Sequence, residues 1–312
     1  MNIIGKKYYY FLLSGFVIVP GLISLLLFGL FPSIDFTGGS RLEIGVSGNH
    51  DLNKDDIKNL LSSNKIKTQS VQLVNNHTAI IRTVSLDQAG KTKELSILSS
   101  RFKGINEKSF ETIGPVIGKE TEGNAVKAVL IASLAITLYI AWAFREVSKP
   151  VSSWKFGVCA VVALLHDVLV VVGIFSILGH FFFVEVDSLF ITALLTVMGF
   201  SVHDTIVVFD RIRENLKKNY SLPFNEVVNN SILETFNRSL NTSLTVLLVL
   251  ICLLLFGGEN VHWFIVALLI GIASGTYSSI FNASPLLVVW YEWDKRRKNK
   301  QFSNSQKTII NH

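Results

Sequence analysis

The chain has 312 residues, of which 49% are hydrophobic and 17% are charged, and its formal net charge is +6. Its mean hydropathy is +0.44, so the chain has more apolar side chains than the interior of a water-soluble protein can bury. This argues against a soluble two-domain enzyme. No basic patch is interleaved with aromatic residues, so the pI of 9.2 indicates membrane orientation and lipid contact and not nucleic-acid binding.

Six segments are long and apolar enough to predict an α-helical polytopic membrane protein, because a span needs about 20 apolar residues. Three of them carry no charge, at 8–31, 239–258 and 261–291, and three are interrupted by titratable residues, at 123–144, 156–183 and 188–209. The first segment has a signal peptide as its alternative, but its apolar run is too long and no small-residue cleavage pattern follows.

The short loops predict the orientation of these spans. Lys and Arg occupy alternate loops and are missing from 179–187 and 257–262. The cations of the occupied loops are Lys6, Lys7, Arg145, Lys149, Lys155, Arg211, Arg213, Lys217, Lys218, Arg238 and Lys295 to Lys300. Because cytoplasmic loops collect positive charge, both termini are predicted to be cytosolic. The predicted organisation is therefore a first helix in 1–31, an exported domain in 32–118, five further spans in 119–291 with a cytosolic amphipathic helix near 222–238, and a basic tail in 292–312.

The exported segment reads as an α+β domain. Strands are predicted at 40–46, 68–74, 78–84 and 109–113, and helices at 53–63 and 85–102. The order β-α-β-β-α-β fits a ferredoxin-like fold, which assigns no function by itself. The turn from Asp35 to Ser40 contains two glycines and reads as a structural elbow between helix and domain.

Two carboxylates fall inside predicted spans, where ionisable residues are costly and are functional candidates by default. At 1.5 Å per residue, Asp167 lies about 16 Å from the cytosolic end of its span, and Asp204 lies about 10 Å from that side of the membrane. Arg238, before the fifth span, is the natural counter-charge for a proton carrier. The alternatives are a helix-packing role for Asp204 and an ordinary positive-inside anchor for Arg238.

The remaining candidates have structural explanations. His166 and Asp167 also read as a helix-packing pair, and they match no metal motif because other ligands are missing. Gly271 and Gly275 belong to a small-residue ridge that lets another helix approach closely. Cys159 and Cys252 fall in spans and behave as small apolar residues. No metal or cofactor is expected, protons being the coupling ion.

Five motifs, in order along the chain, resemble the SecF family of protein-export membrane subunits. They are the segment from Ile34 to Ser40 after the first helix, Leu165-His-Asp167, the fourth-span signature from Gly199 to Asn215, the start of the fifth span from Arg238 to Ser243, and Gly275 to Ser279 in the sixth. Histidine at position 203 departs from the asparagine usual in the family. It serves either as a second titratable group or as a hydrogen-bond donor, and we favour the donor.

The resemblance implies membership of the resistance-nodulation-division superfamily, whose working unit has twelve helices. It implies SecD as the partner, the SecYEG channel beside it, YajC as a further candidate partner, and a translocating preprotein as substrate. It also implies location in the bacterial cytoplasmic (inner) membrane and use of the proton motive force after SecA has acted. In this chain the proton-relay positions are Asp204 and Arg238, with His203, Asp167, His166 and Thr205 as supporting candidates.

Three other functions compete with this interpretation. A non-transporting scaffold would use the same polar residues only to hold helices together. A half-transporter for lipids or drugs would need a substrate vestibule, for which the segment 31–118 is small. Intramembrane hydrolysis is disfavoured because no serine or cysteine nucleophile is suitably spaced from a general base.

Overall fold

The computed structural model describes residues 2–47, 51–145, 151–218 and 221–310, with side chains described as far as Asn299. Lys149, one of the predicted cytosolic cations, lies outside these ranges. The chain divides into a helical unit, formed by Met1–Phe31, Val129–Val184 and Leu189–His312, and a sheet unit, formed by Pro32–Ala128 and Glu185–Ser188. Each unit is described separately below.

The helices of the described residues are α1 (Lys7–Phe28), α2 (Ile34–Thr37), α3 (Lys54–Ser63), α4 (Gln88–Arg101), α5 (Pro115–Ala143), α6 (Ser153–Phe182), α7 (Ser188–Lys218), α8 (Phe224–Phe256), α9 (His262–Ser278) and α10 (Ser284–Ile310). A π-helical turn, Ser279–Ala283, joins α9 to α10. Within the described part of the chain, six helical stretches are long and apolar enough to cross a membrane. The prediction of six spans is therefore confirmed.

The fifth span and the segment before it differ from their predicted form, as does the predicted turn at 35–40, which begins with the short helix α2. The amphipathic segment 222–238 and the fifth span form a single helix, α8, that runs from Phe224 to Phe256. This stretch contains no glycine or proline, so nothing in its backbone chemistry interrupts the hydrogen-bond ladder. Pro223 precedes the first turn and Gly257 follows the last, so the residues that disfavour helix stand at its two ends and not within it.

Apolar packing and two glycines hold the helical unit together. The rings of Phe144 and Phe156 lie 5.8 Å apart, and both contact Phe209 at centroid distances of 5.8 and 5.3 Å. Where α1 crosses α6, Gly21 faces Gly173, and a Cβ on Gly173 would lie 2.8 Å from the Cα of Gly21. The backbones of α1 and α6 therefore meet at a distance that only glycine allows.

The sheet unit contains the strands β1 (Gly39–Val46), β2 (Thr68–Asn75), β3 (Thr78–Thr83) and β4 (Ile105–Ile113). In the described residues they form one antiparallel sheet in the order β2-β3-β1-β4, with Leu42 opposite Ile81 and a register shift between Glu43 and Ile44. Alternate residues of the strands face α3 and α4, where Ile57, Leu61 and Leu98 complete the core.

The loop between α6 and α7 belongs to the sheet unit. Glu185 forms an ion pair with Arg82 of β3, and the backbone oxygen of Val186 accepts a hydrogen bond of 2.8 Å from the Ser33 N–H. The Asp35 carboxylate accepts a hydrogen bond of 2.9 Å from the N–H of Ser188, the first residue of α7. The short segment after α1 thus binds the start of α7.

Gly38, after α2, and Gly118, in the first turn of α5, stand where no other residue fits. Gly38 has a φ of +68°, and a Cβ on it would lie 2.7 Å from the Cα of Pro115. A Cβ on Gly118 would lie 2.7 Å from the backbone nitrogen of Gly38. The turn after α2 therefore packs directly against the first turn of α5, where larger residues do not fit.

Candidate functional site

The predicted carboxylates occupy the interior of the helical unit. Asp167 lies on α6 and is 0% exposed, and Asp204 lies on α7 and is 2% exposed. Both lie on helices long and apolar enough to span a membrane. Since burial of a carboxylate is costly without polar partners, the groups around each one determine what it can do.

Asp167 is held by hydroxyl groups from two other helices. Its Oδ2 accepts hydrogen bonds from Ser201 on α7 at 2.5 Å and from Ser278 on α9 at 2.6 Å. Its Oδ1 accepts one from Ser274 on α9 at 2.7 Å and lies 3.0 Å from Nδ1 of His166. We call these three serines the serine cradle. Asp167 therefore connects α6, α7 and α9 through well-formed hydrogen bonds.

Asp204 has a sparser environment. Its Oδ2 accepts a long hydrogen bond of 3.4 Å from the Thr276 hydroxyl on α9. That hydroxyl is 2.5 Å from the hydroxyl of Ser243 on α8, and either of the two could be the donor. The Ser239 backbone oxygen, 2.9 Å from the Ser243 hydroxyl, is an alternative acceptor for the Ser243 hydrogen. A hydroxyl can either donate or accept, so this chain of groups can adjust to a carboxylate with or without its proton.

Helix α9 lies between the two carboxylates. Ser274 and Ser278 are one turn apart and face Asp167, whereas Thr276 faces Asp204. Two of its glycines face α7. A Cβ on Gly271 would lie 2.2 Å from Cγ2 of Val197, and one on Gly275 would lie 3.0 Å from Cβ of Ser201. Small residues at these two positions allow α9 to approach close enough for its hydroxyls to reach both carboxylates.

The other predicted positions, Thr205, His203 and Arg238, make no hydrogen bond to either carboxylate among the described residues. Thr205 is buried and donates a hydrogen bond of 3.1 Å to the Ser201 backbone oxygen. His203 and Arg238 are exposed. Among residues with described side chains, no hydrogen bond or ion pair joins Arg238 to Asp204. The structure therefore does not bring the predicted counter-charge to Asp204, because Ser239 and Ser243 occupy the inward face of α8 and Arg238 the outward face.

Sequence reasoning missed the hydroxyl groups as a set, although two of the quoted motifs contain several of them. The signal was present as pairs one helical turn apart within apolar spans: 239 and 243 on α8, and 274 and 278 on α9. Across the described residues, no group of three His, Cys, Asp or Glu side chains could hold a metal ion. The arrangement provides carboxylates, hydroxyls and an imidazole, which are groups that bind and pass protons.

Comparisons with known proteins identify the family. A family model described as "Protein export membrane protein SecD/SecF, C-terminal" matches residues 94–293. Protein translocase subunit SecF from Thermobaculum terrenum is 48% identical over 306 residues, covering 94% of this chain and 95% of the relative. Protein translocase subunit SecDF from Bacillus subtilis is 35% identical, covering 95% of this chain and 38% of the relative.

A solved structure agrees with the sequence matches. The crystal structure of SecDF from Thermus thermophilus, described as a translocon-associated membrane protein, is 34% identical and superposes with a TM-score of 0.80. The match covers 94% of this chain and 39% of that one. A likeness of this extent, in sequence and in the arrangement of the helices, shows that the chain belongs to the SecD/SecF family of protein export membrane proteins.

Proposed function

We propose that this chain is the SecF-type subunit of a SecD-SecF complex that uses the proton motive force to assist translocation of preproteins through the SecYEG channel after SecA has acted. The observation that carries the proposal is Asp204, a buried carboxylate in an apolar helix, whose hydrogen bond from Thr276 is 3.4 Å long and whose other hydroxyl neighbour is Ser243. A carboxylate so weakly held gains and loses a proton with little rearrangement, which is what a proton carrier needs.

The available energy is sufficient for this role. One elementary charge that crosses 100 mV releases about 2.3 kcal/mol, and one pH unit adds about 1.4 kcal/mol. Together they amount to about 3.7 kcal/mol for each proton. Energy of this size shifts a two-state equilibrium by more than a hundredfold, which is enough to bias the position of an exported domain.

Outward-facing polar residues on α7 and on α8 support a helical partner. On α7 they are Thr192, Thr196 and His203, and on α8 they are Arg238, Thr242 and Thr245, all exposed. Polar side chains in a span avoid lipid and pack against other helices or a water-filled cavity. This chain matches less than two fifths of the length of its SecDF relatives. We propose that SecD packs against these outward-facing residues. In that complex Arg238 joins the proton pathway.

The same proposal includes the arrangement in the membrane. The cationic loops favour cytosolic termini in a bacterial cytoplasmic membrane, which supports an external position for the sheet unit. The strand order β2-β3-β1-β4, with α3 and α4 against one face, supports a ferredoxin-like exported domain.

Replacement of Asp204 by Asn tests the proposal. The variant chain, co-expressed with SecD, should assemble normally and lose proton-dependent export in inverted membrane vesicles. Asp210→Asn is the matched control, because Asp210 lies on the same helix with a 67% exposed side chain and should leave export unchanged. Full export in the Asp204 variant would refute the proton role.

The scaffold alternative makes a different prediction for the same variant. It has support in the serine cradle, which ties three helices to Asp167. If these polar groups only hold helices together, export should fall in proportion to the amount of complex. Quantifying SecD that co-purifies with each variant separates the two functions.

A further inference from the structure

Thr276 on α9 has a hydroxyl group that lies between a carboxylate and the backbone of its own helix. It can donate to Oδ2 of Asp204 on α7 at 3.4 Å or to the backbone oxygen of Ile272, one turn earlier, at 2.9 Å. A hydroxyl has a single hydrogen, so it serves one of these two acceptors at a time. The Thr276 hydrogen therefore has one position within α9 and another that reaches α7.

The Ser243 hydroxyl on α8 has the same choice. It lies 2.5 Å from the Thr276 hydroxyl and 2.9 Å from the backbone oxygen of Ser239, again one turn earlier. Backbone oxygens four residues earlier are acceptors that serine and threonine use within a single helix. Ser243, Thr276 and Asp204 are all buried, and buried polar groups are hydrogen bonded almost without exception. Each of the two hydrogens is therefore directed either toward Asp204 or toward the backbone.

We propose that Thr276 and Ser243 are positioning residues for Asp204, with hydroxyl hydrogens that point toward the carboxylate when it is ionised and toward the backbone when it is protonated. In the ionised state Thr276 donates to Asp204, and Ser243 donates to Thr276. When Oδ2 of Asp204 binds a proton it becomes a donor to the Thr276 oxygen, so Thr276 turns to Ile272 and Ser243 to Ser239. The inference rests on the proposed function, which makes Asp204 the proton carrier.

The two arrangements connect different helices. A hydroxyl that donates to an anion is a stronger acceptor, because hydrogen bonds in a chain polarise one another. The ionised Asp204 therefore strengthens the hydrogen bond from Ser243 to Thr276, which joins α8 to α9. Once Asp204 is protonated, both hydroxyls donate within their own helices, and the bond between α8 and α9 is lost. The hydroxyls only rotate, so the one proton exchanged is the proton on Asp204.

The groups that face Asp204 allow its own protonation to decide between these arrangements. The titratable group that acts on it from α7 is His203, whereas α8 and α9 present the hydroxyls of Ser243 and Thr276. The other buried carboxylate, Asp167 on α6, is bound by the serine cradle at 2.5, 2.7 and 2.6 Å. Asp167 is therefore held by short hydrogen bonds, whereas the 3.4 Å contact of Asp204 leaves its partner free to turn.

Three variants of the chain, reconstituted with SecD in liposomes, test the proposal. Thr276→Val removes the donor but keeps the shape of the side chain, and Thr276→Ser keeps the hydroxyl. Thr235→Val is the matched control, because the Thr235 hydroxyl is buried in α8 and donates to backbone oxygens of its own helix. Because a donor to a carboxylate favours its charged form, Thr276→Val should move the pH profile of proton-driven export by about one unit toward alkaline pH. The other two variants should keep the wild-type profile, and co-purifying SecD should be unchanged in all three.

A second measurement does not depend on export. Infrared difference spectra between acidic and alkaline buffer should contain a protonated-carboxyl band of Asp204, identified by its disappearance in Asp204→Asn. The pH at which this band is half lost should be about one unit higher in Thr276→Val, and Ser243→Ala should move it in the same direction by a smaller amount.

The outcomes separate this inference from the proposed function. A wild-type band and a wild-type export profile in Thr276→Val would overturn the inference, as would a shift that Thr276→Ser shares. Loss of export in Asp204→Asn would still support the proposed function in either case. Wild-type export in Asp204→Asn would instead reject the proposed function, and the infrared band would then decide the role of the two hydroxyls alone.

Discussion

Glu94 is a buried acidic residue that the proposed export mechanism does not use. It lies on α4 and is 0% exposed, and neither of its carboxyl oxygens has a hydrogen-bond partner among the described residues. Burial raises the pKa of the Glu94 carboxyl from its ordinary value of 4.5 to about 7. We therefore predict that Glu94→Gln stabilises the sheet unit at alkaline pH.

The magnitude follows from linkage. The folded protein holds a proton that the unfolded chain has already released between pH 4.5 and 7, so stability falls as the pH rises through this interval and is constant above it. The difference of about 2.5 pH units, at 1.36 kcal/mol each, corresponds to about 3 kcal/mol. Glutamine carries no charge, so the variant should be more stable than the wild type by about 3 kcal/mol at pH 8 and similar to it near pH 4.5.

Hydrogen exchange of the whole chain in detergent measures this effect. The opening free energy of peptides from α4 should rise in Glu94→Gln at pH 8, and comparison of the two proteins at equal pH cancels the intrinsic pH dependence of exchange. Glu111→Gln is the control, because Glu111 is an exposed residue of β4 and should change nothing. A gain in stability that is independent of pH, or a loss at pH 8, would show that Glu94 is not a desolvated carboxyl.

Two further substitutions test the packing. Gly173→Ala should lower the free energy of unfolding by about 1–3 kcal/mol through overpacking, because its Cβ would lie 2.8 Å from the Cα of Gly21. The control is Gly15→Ala on α1, where a Cβ meets nothing within 4 Å and thermal stability in detergent should be unchanged. Equal effects of the two substitutions would contradict the close crossing of α1 and α6. Glu185→Gln should weaken the ion pair with Arg82 and speed hydrogen exchange of the loop 185–188. The opening free energy of this loop should fall by about 1–3 kcal/mol. Unchanged exchange there would mean that the backbone hydrogen bonds alone hold the loop.

The spans and strands were predictable because each is governed by local physics. A bilayer requires about 20 apolar residues in a row, and a half-buried strand requires alternation, so both leave a periodic signal that the sequence displays. The helix from Phe224 to Phe256 was divided in prediction because its composition changes near Arg238. Backbone hydrogen bonding continues through such a change as long as no helix-breaking residue intervenes.

The site was predictable only in part. Asp167 and Asp204 stand out because charge is rare in apolar spans. The serine cradle does not stand out in the sequence, because serine and threonine are common in membrane helices. The groups that they bind depend on which helices become neighbours. The attachment of the loop 185–188 to the sheet unit is equally invisible, because Arg82 and Glu185 are far apart in sequence. Pairing across such a distance follows from the tertiary fold.

The carboxylate of Asp35 gives α7 a charged cap. It accepts a hydrogen bond from the N–H of Ser188, the first residue of the helix. The first N–H groups of a helix have no partner within it and carry a partial positive charge, which a nearby carboxylate offsets. The segment after α1 therefore does more than connect a span to a domain: its acidic residue also stabilises the start of the helix that carries Asp204 sixteen residues later.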